Sequence, residues 1–305
     1  MRFTRRDLIL GAAGTAGAMA QQPKFAPPQA KPRTAPMICL FSKHLPKLHY
    51  SELGGVLRDL GFEGCDLTVR PGGHVLPEKA PADLFRAIES VRGDGVEVPM
   101  ITTAFTSAAD PWARSVIAIA GGMGVPLFKP GYWKYGPTPD IEARISEVKR
   151  EVAGLTLLGR TYQMAMGLHN HSGDNVGEAV WDTRAMIADL DPRWVGYYFD
   201  PCHATAEGGL AGWSVALRLA LPRLKMMALK DFYWAKESGR WAMKMCPMGE
   251  GMVEWPKVFA MLAQARFTGP LSLHLEYDPK DELAAIARDL EFVRRHLTTA
   301  YGNVS

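Results

Sequence analysis

The sequence has few cysteines, no concentration of positive charge and no glycine-rich dinucleotide fingerprint. Only four of the 305 residues are cysteine, and no two are spaced as C-x-x-C, which argues against a structural zinc knuckle or a disulfide framework. The formal net charge is only +3 and there is no basic stripe, which argues against nucleic-acid binding. No Gly-x-Gly-x-x-Gly follows the first predicted strand, which argues against a dinucleotide fold. These absences favour a protein that handles a small, neutral or mildly anionic molecule.

The first 36 residues have the pattern of an export signal followed by a linker. Arg5 and Arg6 form a twin-arginine pair, a Gly/Ala-rich apolar stretch follows, and residues 18–20 (Ala-Met-Ala) have the form of a cleavage site. The apolar stretch is too short to be a permanent membrane anchor. We therefore predict a signal peptide over residues 1–20, a proline-rich linker over 21–36 and a periplasmic or extracellular protein. A mildly amphipathic N-terminal helix is the alternative.

From residue 37 onward, short apolar runs alternate with longer segments of helical periodicity. Eight such strand–helix units predict an α/β protein, a single (β/α)8 TIM barrel over residues 37–300, with an open doubly wound sheet as the alternative. Residues 232–254 form a long excursion after the seventh strand. The predicted strands are 37–41, 62–69, 96–102, 125–129, 162–169, a run ending at Asp200, 224–230 and 271–276.

Three predicted strands end in side chains that bind metals. The fifth ends at His169, the sixth at Asp200 and the eighth at Glu276. Pro201 lacks an N–H and stops the sixth strand, so that Asp200 and His203 are placed close together. The carboxyl ends of barrel strands face one another, and mixed nitrogen and oxygen ligands suit Mn²⁺, Zn²⁺, Fe²⁺ or Co²⁺. The pattern predicts one divalent metal ion; core histidines satisfied by hydrogen bonds are the alternative.

Several motifs resemble the xylose-isomerase-like barrel family of sugar phosphate isomerases and epimerases. They are Asp200-x-x-His203, Leu229-Lys230-Asp231, the Gly-Glu-Gly-Met-Val-Glu-Trp run at 249–255 and the segment 267–276. The resemblance covers roughly residues 37–296. It implies a (β/α)8 barrel, one divalent metal at its mouth and keto-sugar or cyclitol substrates.

The resemblance also implies a ligand set, from which this chain departs at two positions. His169 ends the fifth strand, where the epimerases usually have glutamate, and Ala228 stands where they have the strand-seven histidine. Of the paired glutamates that many epimerases use as acid and base, only Glu276 is present. The expected metal ligands are His169, Asp200, His203 and Glu276, with His171 or His274 as alternatives for completing the shell.

Other polar residues at the strand ends supply the remaining candidates. A strand-end lysine such as Lys129 or Lys230 could be a general base, an electrostatic clamp or a Schiff-base nucleophile. The catalytic candidates are Glu276, Lys230 and His203. The substrate-binding candidates are His44, Arg70, His74, Lys129, His171 and Trp234. Together they predict a metal-dependent enzyme that removes a proton next to the carbonyl of a sugar or keto-sugar, by isomerisation, epimerisation or β-elimination; a non-catalytic carbohydrate-binding barrel is the alternative.

Overall fold

Eight parallel strands form a closed barrel in the computed structural model, which describes residues 33–302. The strands follow one another around the barrel in the order β1-β10-β7-β6-β5-β4-β3-β2, and this confirms the predicted barrel. The barrel strands are β1 (Ile38–Phe41), β2 (Gly64–Thr68), β3 (Glu97–Thr102), β4 (Leu127–Lys129), β5 (Ala165–His169), β6 (Val195–Phe199), β7 (Leu224–Leu229) and β10 (Leu271–Leu273); β8 (Asp231–Glu237) and β9 (Arg240–Cys246) lie outside it. The predicted signal peptide lies outside the described residues.

Helices surround the barrel and cover its outer face. The first illustrates why they form: Glu52 and His49 make a capping box, Leu53 and Leu57 are buried one turn apart, and Gly61 ends the helix with a φ of 91°. The helices are α1 (Tyr50–Leu60), α2 (Ala80–Gly93), α3 (Ala113–Gly122), α4 (Ile141–Thr161), α5 (Val180–Ile187), α6 (Pro201–Ala220), α7 (Trp255–Gln264) and α8 (Glu282–Gly302). None of the helices in residues 33–302 has the length and apolar character needed to cross a membrane.

The strands are buried on both faces, as parallel strands in a barrel must be. A large cluster of apolar side chains packs between the strands and the helices. A second cluster consists of Met100, Tyr198, Met226 and Ala228. Its members come from β3, β6 and β7, so this cluster fills the barrel interior below the mouth. The four cysteines are buried free thiols.

Helix α6 begins much earlier than the sequence pattern predicts. We expected a helix from about Trp213, yet α6 starts at Pro201, directly after β6. Proline is compatible with the first helical position, because the N–H that it lacks would have no partner there. Gly209 interrupts the helix with φ 61° and ψ −154°, which breaks the apolar periodicity. His203 therefore lies in the first turn of a helix and not in a loop.

The excursion after β7 contains a β-hairpin. Strands β8 and β9 pair in antiparallel register from Asp231 opposite Cys246 to Glu237 opposite Arg240. The two turn residues, Ser238 and Gly239, have φ of 50° and 81°. Such a turn matches the twist of a tight hairpin, and the Ser-Gly pair was the available sequence signal for it.

Candidate active site

A cavity of about 190 Å³ opens at the carboxyl ends of the barrel strands. Its walls come from every part of the barrel mouth. The lining residues are Phe41, Lys43, Arg70, Thr102, Lys129, Tyr132, His169, His171, Tyr198, Lys230, His274 and Glu276.

Lys230 lies between two carboxylates at the base of this cavity. The residue follows β7 directly and is only 2% exposed. Its Nζ is 3.2 Å from Asp200 Oδ2 and 3.1 Å from Glu276 Oε2. The other Glu276 oxygen, Oε1, lies 3.3 Å from Lys43 Nζ. Each carboxylate therefore has a lysine partner.

The charges of this group stabilise one another. Burial opposes the ammonium form, but Asp200 and Glu276 outweigh burial and raise the pKa of Lys230 above its ordinary value. Burial likewise favours the neutral acids, yet Lys230 holds the pKa of Asp200 and the pKa of Glu276 well below the usual range. The three groups remain ionised at neutral pH.

Asp200 is held rigidly because it is the N-cap of α6. Its Oδ1 accepts a hydrogen bond of 3.1 Å from the His203 backbone N–H, as expected of an aspartate before a proline-initiated helix. The backbone N–H of Asp200 donates to Asn170 Oδ1 at 2.8 Å, and the Asn170 amide returns a bond of 3.0 Å to the Asp200 carbonyl. The carboxylate also benefits from the positive end of the helix dipole.

Two histidines contact Asp200 but are not cations. His169 Nε2 is 3.2 Å from Asp200 Oδ2, and its Nδ1 bonds to the Tyr132 hydroxyl at 2.7 Å. Burial lowers the pKa of His169 to about 4, although Asp200 acts in the opposite direction. The neutral ring therefore donates from Nε2 and accepts at Nδ1. His203 bonds through Nδ1 to Ser172 Oγ at 2.9 Å, and its buried Nε2 has no hydrogen-bond partner among the described residues.

Lys129 occupies a different environment on the same cavity wall. It ends β4, is 4% exposed, and forms no ion pair with any carboxylate of residues 33–302. Its Nζ lies 3.4 Å from the centre of the Tyr132 ring. Burial, with a contribution from Arg70, lowers the pKa of Lys129 well below its ordinary value.

The four predicted metal ligands converge at the mouth. Asp200 and Glu276 pair with Lys230, and His169 Nε2 bonds to Asp200. His203 Nδ1 bonds to Ser172, and its Nε2 is the one ring nitrogen of these ligands without a hydrogen-bond partner among the described residues. In the part of the chain that the structure describes, no group of three or more His, Cys, Asp or Glu side chains is arranged to hold a metal ion. The Lys230 ammonium occupies the oxygens of Asp200 and Glu276 that face one another, and Ala228 offers no donor. The residues as arranged do not fit a divalent ion. The predicted ligand set stays a prediction.

The predicted substrate-binding residues divide into two groups. Arg70, Lys129 and His171 line the cavity. The other three, His44, His74 and Trp234, do not.

Each of these three has a different setting. His44 is buried. His74 bonds through Nδ1 to Thr68 Oγ1 and through Nε2 to the Leu45 carbonyl, both at 3.0 Å, while helping to line a smaller neighbouring cavity. Trp234 is 40% exposed on the hairpin, edge-on to Phe232.

Sequence reasoning missed a buried polar network below the cavity. Asp66 is fully buried in β2 and accepts hydrogen bonds from Thr102 Oγ1 at 2.7 Å and from Ser272 Oγ at 2.8 Å. The Tyr198 hydroxyl lies 3.4 Å from Asp66 Oδ2 and 3.1 Å from His274 Nε2. Burial raises the pKa of Asp66 to about 6. The sequence signal that could have revealed this network is the acidic residue Asp66 inside an apolar strand.

Asp231, the last residue of the Leu-Lys-Asp motif, has a structural role. Its carboxylate accepts four backbone hydrogen bonds, 2.9 Å from Phe232, 3.0 Å from Gly249, 3.2 Å from Gly251 and 3.2 Å from Val253. A fifth, of 2.9 Å, comes from the indole N–H of the Trp at position 255. Two motifs that are separate in the sequence thus form one unit that orients the chain on either side of the hairpin.

Comparisons with known proteins agree on the fold. The family model described as xylose isomerase-like TIM barrel matches residues 55–296. No curated protein matches the chain. Similar solved structures include an L-ribulose 3-epimerase, with 15% identity, TM-score 0.69, and coverage of 88% of this chain and 96% of that one. A xylose isomerase-like TIM barrel protein from Mycobacterium smegmatis in complex with magnesium has 19% identity, TM-score 0.66, and coverage of 88% and 98%.

A third similar structure is the 3-keto-D-glucoside 4-epimerase YcjR from E. coli. Its identity is 15% and its TM-score 0.66, with coverage of 85% of this chain and 99% of that one. At such identities these three likenesses show a shared fold.

Proposed function

The chain belongs to the xylose isomerase-like TIM barrel family, and from this premise we propose that it is an enzyme that removes a proton next to the carbonyl of a sugar or keto-sugar. The family match confirms the resemblance that the motifs indicate. Two solved structures of the same fold are named as sugar epimerases, which supports a sugar substrate. Isomerisation, epimerisation and β-elimination all begin with this proton transfer, so the proposal covers the three outcomes.

One observation carries the proposal: two buried lysines share a cavity but differ in their partners. Lys230 is paired with Asp200 and Glu276, whereas Lys129 has no carboxylate partner in residues 33–302. Two titratable groups are suited to act as acid and base when their environments shift their pKa values in opposite directions. Lys129, as a neutral amine, accepts the substrate proton. Lys230, as an ammonium, donates a hydrogen bond to the carbonyl oxygen and stabilises the negative charge that develops on it.

The other two predicted catalytic residues contribute differently in this arrangement. Glu276 lines the cavity, but its carboxylate is bound by Lys43 and Lys230, which makes it a weak base. His203 supports Asp200 from the first turn of α6 and does not line the cavity. We therefore propose that Glu276 and His203 position Lys230, directly and through Asp200. Because the side chains as arranged do not fit a divalent ion, no step of this proposal is assigned to a metal.

The test is exchange of solvent deuterium into a panel of keto-sugars that includes L-ribulose, D-tagatose and a 3-keto-D-glucoside, followed by NMR. The wild-type protein is expected to label the carbon next to the carbonyl of at least one of them. Lys129→Met is expected to reduce exchange by at least about 100-fold, because it removes the base. Lys236→Met, which changes an exposed lysine on the hairpin, is the control and should leave exchange unchanged.

Two results would contradict the proposal. Binding of a keto-sugar without any exchange would favour the non-catalytic carbohydrate-binding barrel. A covalent adduct on Lys129, trapped by borohydride in the presence of the sugar, would make this lysine a Schiff-base nucleophile and not a proton acceptor.

A further inference from the structure

We propose that the Lys230 ammonium takes the place of a divalent metal ion in this barrel, so that the site functions without a metal. Two carboxylates from different strand ends, Asp200 and Glu276, converge on one point of the cavity. That point is occupied by Lys230 Nζ, at 3.2 Å from Asp200 Oδ2 and 3.1 Å from Glu276 Oε2. Lys230 donates a hydrogen bond to Glu276 and forms an ion pair with Asp200, and its side chain is almost fully buried.

The charge balance around Lys230 leaves no role for a further cation. The two carboxylates carry two negative charges, and Lys230 and Lys43 supply two positive charges at their oxygens. A divalent ion would enter a site that is already neutral. It would also have to displace a buried lysine that has no other carboxylate partner among the described residues. Burying an unpaired charge in this way is strongly unfavourable.

The Lys230 ammonium can stabilise negative charge on a carbonyl oxygen, as a metal ion would. It has three N–H donors, one of which is donated to Glu276 Oε2, while Asp200 Oδ2 forms an ion pair with the same Nζ at 3.2 Å. Lys230 lines the cavity, so a remaining N–H is available to a ligand there. Asp200 is fixed by the start of α6 and by Asn170, so the donor is held in place before substrate arrives. Fixed donors of this kind stabilise an oxyanion without reorganisation during the reaction.

The test is a titration with Mn²⁺ that requires no substrate. Wild-type protein, dialysed against EDTA, is expected to bind no stoichiometric Mn²⁺ at micromolar concentration by calorimetry and to show no rise in Tm when Mn²⁺ is added. Lys230→Ala exposes both carboxylates, so we expect it to gain one Mn²⁺ site, with affinity at least about tenfold above wild type, and a Tm that rises with Mn²⁺. Lys230→Met serves as a second variant that fills the space without charge.

The control variants separate this site from others. Lys236→Ala removes an exposed lysine on β8 and should not create a Mn²⁺ site. Lys230→Ala combined with Glu276→Gln should lose the gained site, because one carboxylate is then missing. If the Lys230 variants do not fold, the titration of the wild-type protein still tests the inference. Stoichiometric Mn²⁺ binding by the wild-type protein that is lost in Glu276→Gln would contradict it.

The inference rests on the proposed function only where it states that catalysis needs no metal. If the enzyme exchanges deuterium into a keto-sugar, EDTA-dialysed protein is expected to do so at the same rate as untreated protein. If no sugar exchanges but Mn²⁺ binds only after Lys230 is removed, the proposed function fails and this inference stands. Loss of exchange on dialysis, with recovery on adding Mn²⁺, would contradict the inference while supporting the proposed function.

Discussion

Lys129 and Lys230 show how position in a folded chain determines the chemistry of one side-chain type. Both lie at strand ends of the same barrel, 101 positions apart in the sequence by their residue numbers, and both are buried. Within residues 33–302, Lys230 forms ion pairs with two carboxylates and Lys129 forms none. The difference between an acid and a base in this cavity therefore depends on which neighbours each strand end meets.

The pH dependence of exchange tests the role of Lys129. Only its neutral amine accepts a proton, so kcat/KM is expected to rise with pH through a pKa below that of an ordinary lysine. The charged groups that act on it are Arg70 and Lys230, which lower its pKa, and Asp66, which raises it. Arg70→Gln should move the rising limb of the pH profile to higher pH, because a positive neighbour is lost. An unchanged limb in that variant would exclude Lys129 as the titrating group.

His44 gives a second prediction, for stability. Its ring is buried, its Nε2 has no hydrogen-bond partner in residues 33–302, and burial lowers its pKa to about 4. The unfolded chain binds a proton near pH 6.5, as an ordinary histidine does, while the folded protein does not. Stability is therefore lost as pH falls from about 6.5 towards about 4, by on the order of 3 kcal/mol from this group.

Urea unfolding of wild type and of His44→Phe at several pH values measures this contribution. Phenylalanine does not bind a proton, and its ring can pack against Phe41. The unfolding free energy of the variant should therefore fall less than that of the wild type as the pH is lowered. Equal pH dependence in the two proteins would show that His44 binds a proton as readily in the folded protein as in the unfolded chain.

At the scale of elements, the hairpin depends on a single carboxylate. Asp231 begins β8 and binds the returning chain through the backbone N–H groups of Gly249, Gly251 and Val253. Gly251 allows this approach, because a Cβ there would overlap Asp231 Oδ1. The hairpin and the start of α7 thus form one unit directly after Lys230. The unit fixes the chain on which that catalytic candidate lies.

Replacing Asp231 should therefore destabilise the protein. Asp231→Ala leaves several buried N–H donors without an acceptor and is expected to cost at least about 3 kcal/mol of unfolding free energy. Glu237→Ala, in an exposed ion pair with Lys244 near the hairpin turn, is the matched control and should change it by less than about 0.5 kcal/mol. Chemical denaturation measures both. Similar midpoints for the two variants would show that Asp231 is dispensable to the fold.

For the whole molecule, we propose export through the twin-arginine segment at the N-terminus. Replacing both Arg5 and Arg6 with lysine is expected to leave the protein unprocessed inside the cell, because the export machinery recognises the arginine pair. Cell fractionation and the mass of the mature N-terminus measure the outcome, with processing expected near Gln21. Normal export of the double variant would contradict the proposal.

The sequence by itself determined the architecture and the location of the site. Apolar runs and helical segments alternate along the chain, and this local periodicity is sufficient to predict a barrel whose strand ends converge. It therefore indicated that His169, Asp200 and Glu276 would meet at one mouth. It did not predict the early start of α6, because Gly209 interrupts the helical pattern. It also did not predict the hairpin, whose strands β8 and β9 pair with each other outside the barrel.

Only the tertiary structure decided which side chains pair within the mouth. Lys230 is 30 residues from Asp200 and 46 from Glu276 in sequence, and its contacts with both arise from the order of β6, β7 and β10 around the barrel. The same packing buries His44 and engages both ring nitrogens of His74. Local pattern specifies where a strand ends, whereas burial and neighbouring charge, which depend on distant residues, specify whether the group there is a ligand, an acid or a base.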